Sequence, residues 1–411
     1  MPFRRAFIAA LAFWAALPSA ALAAPTVRTG NLYFRWSLSR SEIQRLAAYD
    51  LVVLDPDQAV RYPQLLAELR RRNPDIVLLA YVEAEGLALA KTGEPKGYPA
   101  RALADRVDPS WYLRDASGAA VGFWPGTPMI NVTDRLPADA PVGTSWAEVL
   151  AAWTRDEVMA RGVWDGIFLD NAFAGWSSVT STPIDLDRDG RAEPMDEADQ
   201  AWRRGMERVI AAIRREAPDA RIVANNGDAY AHLVDGVWME GFPMHRDLDA
   251  EWVRISVLSG KGVFGPIVNP TVPARSDFAA GRLRESAALS LIHDGVAAGS
   301  HVLHGDLWRD PSYGVSLGSP LAPAERRVAV QGSSFQGLWT RSFEKGVLVF
   351  NWSDRPLALP AGEGDPVPSF GARVLSVQAP LPSMGRSELV VASIVRDLVS
   401  QVQSIFRFSL H

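Results

Sequence analysis

Eight short apolar runs in this sequence end in, or lead directly into, side chains that can do acid–base chemistry. They give Asp55, then Glu83 and Glu85, then Asp170 with Asn171, Asn225 with Asn226, Glu240, Asn269, and His304 with Asp306. A single Asp or Asn at such a place is ordinary, because both residues cap helices and start turns. The set carries more than its members. Hydrolysis of a glycosidic bond needs one carboxylic acid to protonate the leaving oxygen and a second carboxylate to attack the sugar or to activate water. Asp170 follows four apolar or small residues and Glu240 follows Val237-Trp238-Met239, so both emerge from runs that read as buried. Burial of that kind pushes a carboxyl group toward the range a general acid requires.

The runs that must position these groups are LYFRW (32–36), DLVVLD (50–55), IVLLAYV (76–82), GIFLDN (166–171), RIVANN (221–226), GVWMEG (236–241), FGPIVNP (264–270) and GSHVLHGD (299–306). Between them, helical periodicity is expected over about 60–72, 144–161, 197–216, 246–258 and 275–293, the third with Trp202, Met206, Val209, Ile210 and Ile213 on one face. Eight β-rich runs alternating with helices predict an α/β fold, a (β/α)8 TIM barrel over residues 24–330. In such a barrel the strand ends converge on one face, with Asp170 and Glu240 two strands apart on its rim.

The connection over about 83–143 is too long and too rich in Pro and Gly for one helix, and connections of that length at the C-terminal ends of barrel strands shape binding clefts. Beyond 330 the pattern becomes short alternating runs such as LWTRSF and KGVLVFNWS, which predict a small antiparallel β domain over 331–380. The tail 381–411 places Ile394, Leu398, Val402 and Ile405 at helical spacing. At the other end, a basic MPFRR, an apolar stretch and Ala21-Leu22-Ala23 read as a cleavable signal peptide over 1–23, with a secreted or periplasmic product and no membrane span after cleavage.

Composition narrows the chemistry. The 411 residues include no cysteine, which excludes disulfide scaffolds and Cys-ligated metal sites. The net charge is −5 with the basic residues scattered, so nucleic acid is not an expected partner. No G-x-S-x-G elbow, H-E-x-x-H or P-loop is present. Fourteen tryptophans, among them Trp36, Trp111, Trp124, Trp176, Trp238 and Trp308 in predicted loops or strand ends, suit a sugar ligand, because flat aromatic faces stack on pyranose rings. Asp55, Glu83, Trp36, Trp124, Asn171, Asn226, Trp238 and His304 are accordingly expected to bind substrate, a polysaccharide or oligosaccharide. No cofactor is required for this chemistry. DLDRDGRAEPMD (185–196) has Asp185, Asp187, Asp189 and Asp196 at the spacing of a calcium loop with Gly190 at its turn, although such loops end in Glu. It reads equally as a structural calcium site or as a solvated acidic turn.

YDLVVLD (49–55), LLAYVEAEG (78–86), WDGIFLDN (164–171), IVANNGD (222–228) and VWMEGF (237–242) resemble the hypothetical glycosyl-hydrolase-like TIM-barrel proteins of bacteria. More distantly they are similar to the endo-alpha-1,4-polygalactosaminidase family. The likeness runs over about 30–355, and RSFEKGVLVFNWS (341–353) is similar to a segment of the family's appended β domain, with Lys345 where Asn is usual. The resemblance implies a retaining hydrolase in which Asp170 matches the nucleophile and Glu240 the acid/base. The expectation is an exported glycoside hydrolase acting on a polysaccharide. The alternative is an envelope polysaccharide-binding protein that keeps the barrel and its cleft without catalysis.

Overall fold

The computed structural model describes residues 27–35, 37–272, 275–299, 307–360 and 364–376. The expected signal segment 1–23, the tail 381–411, Trp36, and His301, His304 and Asp306 lie outside them.

Eight parallel strands close into a barrel: β1 (Thr29–Leu32), β2 (Leu51–Leu54), β3 (Val77–Glu83), β4 (Gly166–Asp170), β5 (Arg221–Asn225), β6 (Gly236–Glu240), β7 (Gly265–Asn269) and β8 (Val296–Ala298). Each pairs with its sequence neighbours, and β8 closes on β1 through Thr29↔Ala297 and Gly30↔Ala298. The expected helices form, as α1 (Pro63–Arg72), α2 (Trp146–Trp153), α3 (Met195–Glu216), α4 (Leu248–Leu258) and α5 (Asp277–Ile292). The α3 face of Trp202, Met206, Val209, Ile210 and Ile213 is fully buried.

Two strands differ from the expected runs. β1 lies earlier, at Thr29–Leu32 instead of 32–36, and β8 lies at Val296–Ala298, ahead of 299–306. Both are short and made of small or polar residues (TGNL and VAA), so the apolar pattern that marks the other strands is missing from them. Gly30 packs beside the Trp238 ring, which fills the barrel interior next to β1.

Side chains in a strand alternate between two faces, and in a barrel these are the interior and the helix layer. Leu79, Phe168, Val223, Trp238 and Ile267 share one cluster inside the barrel, while Leu78, Ile167, Ile222, Val237 and Val268 belong to the larger core under the helices. Four aromatic rings stack the interior: Phe34 meets Tyr81 edge-on at 4.3 Å, Tyr81 lies over Phe168 at 6.0 Å, and Phe168 meets Trp238 edge-on at 5.5 Å.

A separate antiparallel sheet follows, in the order β9 (Glu325–Ala329), β10 (Gly337–Phe343), β11 (Gly346–Trp352) and β12 (Ala372–Ser376). It begins ahead of the boundary expected at 331. The sheet and barrel share a core: Trp339 stacks on Trp252 of α4 at 4.2 Å, and the Trp352 indole donates to the Leu248 carbonyl at 2.9 Å. Arg341, nearly inaccessible, donates to the Leu291 and Ile292 carbonyls at 2.6 and 3.2 Å and pairs with Asp294 at 2.8 Å. It thereby satisfies carbonyls at the end of α5 that no helical N–H reaches. Arg341→Ala should cost about 3 kcal/mol, since it leaves those buried acceptors unpaired. Chemical denaturation of both proteins checks this, and an unchanged midpoint would contradict it.

Candidate active site

The alternation that fills the barrel also builds its mouth. Two residues beyond inward Leu79, Phe168, Val223 and Trp238 come Tyr81, Asp170, Asn225 and Glu240, and Glu83 follows Tyr81 by two more. These five side chains therefore point into the C-terminal opening, over the aromatic stack. Glu83 and Asp170 are register partners on β3 and β4, and Glu240 is partnered by Asn269 on β7.

Asn225 sits on β5, between β4 and β6, and its amide nitrogen reaches both neighbours. It donates to Asp170 Oδ1 at 2.7 Å and to Glu240 Oε2 at 2.9 Å. Asp170 accepts two further hydrogen bonds, from the Tyr81 hydroxyl to Oδ2 at 2.5 Å and from the Asn171 backbone to Oδ1 at 2.9 Å. Burial and the Asp170 charge push the Tyr81 phenol well above its ordinary range, so it holds its proton and remains a donor. Burial and Asp170 also push Glu83 up to about 7, with Lys91 working in the opposite direction. Glu85, completely buried, is raised well above the carboxylate range by burial, Asp170 and Glu83, and its carboxyl is hydrogen-bonded by the Asn171 side chain.

The expected substrate-binding residues fall into groups. Asp55 and Glu83 line one cavity beside Asp170. Asp55 is nevertheless held within the protein, with Lys91 Nζ at 2.8 Å on one oxygen and the Asp57 backbone N–H at 2.8 Å on the other. Trp124 stands 56% exposed at the tip of a hairpin formed by Gly122–Trp124 and Thr127–Pro128. Its neighbour Phe123 packs on Phe173, in the loop that leaves Asp170, which places the hairpin at the rim of the barrel mouth.

Trp238 is not a surface for sugar: it is fully buried in the barrel interior, two residues below Glu240, and serves as part of the floor. Trp111 and Trp176 are likewise core residues. Asn171 and Asn226 are one residue out of the inward phase, and both adopt left-handed backbone, with φ of 55° and 50°. They turn the chain out of β4 and β5, a conformation Asn tolerates better than most residues. Asn171 binds Glu85, and Asn226 accepts from Arg254 at 3.4 Å.

Tyr81 is not among the residues singled out from the sequence, and of the strand-end pair Asn225 and Asn226 only Asn226 is expected to bind substrate. Strand parity marks Tyr81 and Asn225, because each lies two positions from an inward apolar residue. The composition of the runs alone does not separate Asn225 from Asn226.

Among the described residues one group of acids converges as cation ligands do. Asp185, Asp187 and Asp189 bring carboxylate oxygens within 4.8 Å of one another. Arg188, with φ of 60°, anchors the loop by donating to the Ser110 and Tyr112 carbonyls at 2.7 and 2.9 Å. Asp196 does not join them: it lies exposed in the first turn of α3, carried away by the helix. Glu193 comes back toward the loop instead, accepting from the Leu186 N–H at 2.9 Å.

Residues 70–347 match the model of hypothetical glycosyl hydrolase family 15. No curated protein sequence matches the chain. Among solved structures, the glycoside hydrolase domain of PelA from Pseudomonas aeruginosa is 17% identical, over 70% of this chain and 98% of that domain, with a TM-score of 0.44. The alpha-galactosidase from Lactobacillus brevis is 10% identical, over 88% of this chain and 56% of its own, at 0.48. The alpha-galactosidase AgaA from Geobacillus stearothermophilus is 12% identical, over 82% and 48%, at 0.46. With its family match spanning β4, β5 and β6 and the carboxylates they carry, the chain belongs to hypothetical glycosyl hydrolase family 15, and its chemistry is the cleavage of glycosidic bonds.

Proposed function

We propose that the protein is an exported, retaining glycoside hydrolase acting on a polysaccharide, with Asp170 as nucleophile and Glu240 as general acid and base. The observation that carries this reading is the Asn225 bridge. The two N–H bonds of a planar amide diverge by about 120°, so oxygens that accept one each stand about 5 Å apart. Retaining pairs stand roughly 5–5.5 Å apart and inverting pairs roughly 6.5–9.5 Å. A barrel that only bound polysaccharide would not require two carboxylates held at that spacing.

In the first step the Asp170 carboxylate attacks the anomeric carbon, the bond from that carbon to the leaving oxygen breaks, and Glu240 gives that oxygen its proton. In the second, water loses a proton to Glu240 and attacks the same carbon, releasing Asp170. Tyr81, Asn225 and the Asn171 N–H fix the plane of the attacking carboxylate, so little reorganisation is needed on the way to the transition state. Exposed Trp124 on the rim supports a chain-like substrate with a ring stacked outside the mouth. Export rests on the composition of residues 1–23, and no helix among the described residues is long and apolar enough to cross a membrane.

The 185–196 loop is proposed to hold a structural calcium ion through Asp185, Asp187 and Asp189. Three converging carboxylates repel one another, and a bound cation would relieve that repulsion. The site is remote from the proposed chemistry in role: it would brace the loop between β4 and α3.

Two measurements follow from this reading. On a polysaccharide identified by reducing-end release from a panel of bacterial exopolysaccharides, Asp170→Asn and Glu240→Gln should each lower kcat by about 10³-fold or more, with melting temperatures near wild type. Asn225→Ala should lower kcat about 10²-fold with KM within about threefold, as expected when a reacting group is misaligned but the binding surface is kept. Turnover near wild type in either carboxylate variant would refute the pair. Separately, millimolar calcium should raise the melting temperature of the wild type and leave that of Asp187→Asn/Asp189→Asn unmoved. No shift in the wild type would rule the ion out.

A further inference from the structure

A groove of about 620 Å³ lies between the barrel and the β sheet, and none of its walls belongs to the mouth. One wall is a face of α5, where Phe278, Gly281, Ala288 and Leu291 recur at helical spacing. The facing wall includes Leu348 of β11 and Val374 of β12. Two of these side chains are large, apolar and left in solvent: Phe278 is 69% exposed and Val374 46%. Apolar groups gathered at one place on a surface mark interaction sites. Gly281 is a second, independent observation. Glycine weakens a helix interior relative to alanine, yet a Cβ at Gly281 would meet nothing within 4 Å, so no contact among the described residues requires it. A glycine on an open groove allows another backbone to approach α5 closely.

We propose that residues 388–405 of this chain pack into the groove as an amphipathic helix. β12 forms part of one wall and ends at Ser376, so the chain leaves the sheet at the edge of the groove. Pro380, Pro382 and Gly385 keep β12 from continuing as a strand. Residues 377–387, extended, span about 35 Å, enough to reach either end of α5, which is about 24 Å long. At roughly 100° per residue, Val391, Ile394, Leu398, Val402 and Ile405 fall on one face of a helix about 27 Å long.

The charges fit as well as the apolar face. Deep in the groove the ionic groups are settled among themselves: nearly inaccessible Glu285 accepts from Arg282 at 2.6 Å and lies 2.6 Å from His245 Nε2. Two further cations line the groove on opposite walls, exposed Arg284 on α5 and half-buried Arg373 on β12. On the proposed helix Glu388 and Asp397 lie about 90° to either side of the centre of the apolar face, and Arg396 lies behind it. One carboxylate thus faces each arginine-bearing wall when the apolar face points inward. The family match ends at residue 347, ahead of both β12 and the tail, so the pairing lies outside what that match covers. A docked helix bridges α5 and β12, adding to the Trp339–Trp252 and Trp352–Leu248 contacts that hold the sheet on the barrel. The proposal is independent of the hydrolase reading.

The sequence contains no cysteine, so a thiol introduced at one position reports on that position alone. The test labels single-cysteine variants of the full mature chain with a maleimide: Phe278→Cys in the groove, and Val142→Cys, fully exposed in the connection between β3 and β4, as control. Adding Ile394→Asp/Leu398→Asp/Val402→Asp should speed labelling of Phe278→Cys about tenfold or more and leave Val142→Cys unchanged, since the thiol is then uncovered without unfolding. Reciprocally, Leu398→Cys should become about tenfold more reactive when Gly281→Trp fills the groove. Equal rates at Phe278→Cys with and without the aspartates, or a Leu398→Cys rate indifferent to Gly281→Trp, would overturn the proposal. Two other outcomes would also overturn it by naming a different occupant or destination. Protection of Phe278→Cys that is lost on about hundredfold dilution assigns the groove to the tail of a second copy. Protection of Leu398→Cys that appears only with phosphatidylglycerol vesicles assigns the tail to a lipid surface.

Discussion

The side-chain nitrogen of Asn225 donates to Asp170 and Glu240 together, and the geometry of the mouth is organised around that double contact. It is possible because β5 lies between the strands that carry the two carboxylates and because all three residues fall in the same inward phase. A single amide therefore sets both the distance between the acids and the orientation of each. Beneath it, Trp238, Phe168 and Tyr81 fill the barrel so that the side chains of the mouth rest on rigid rings.

The electrostatic cost of the site is concentrated on one side. Glu83, Glu85 and Asp170 stand close enough to influence one another, and Asp55 and Asp57 are nearby, with Lys91 between them. Five carboxyl groups near one ammonium cannot all be charged in a buried setting. Burial and neighbouring acids push Glu85 well above the usual carboxylate range, Asp55 pairs with Lys91, and Glu83 is pushed up to about 7. Acidity at the mouth is thus graded by burial and contact, although the residue types are the same.

Much of this was legible from residue order. Strands β2 to β7 are written as apolar runs, and the acids at their ends stand out because polar residues follow buried ones abruptly. β1 and β8 were harder, since each consists of residues too small or polar to show a strand pattern, and their place is set by closure with each other. The choice of Asn226 over Asn225 shows what a run of residues omits: the decisive property is phase relative to Val223, and a one-residue shift exchanges the mouth for a turn. Trp238 carries the same lesson, because an aromatic near a strand end lines a cleft or fills a core according to how far below the rim it lies. In the 185–196 loop the spacing of three aspartates held, while the start of α3 at Met195 took Asp196 out of reach.

The stereochemistry of the first product tests the proposed role of the Asp170–Asn225–Glu240 unit most directly. Proton NMR of the reaction in deuterium oxide, recorded before mutarotation, reads the anomeric configuration of the newly released reducing end. Carboxylates about 5 Å apart predict a product with the same configuration as the bond that was cleaved. Release of the opposite anomer would contradict the account, because inverting pairs stand roughly 6.5–9.5 Å apart to leave room for a water.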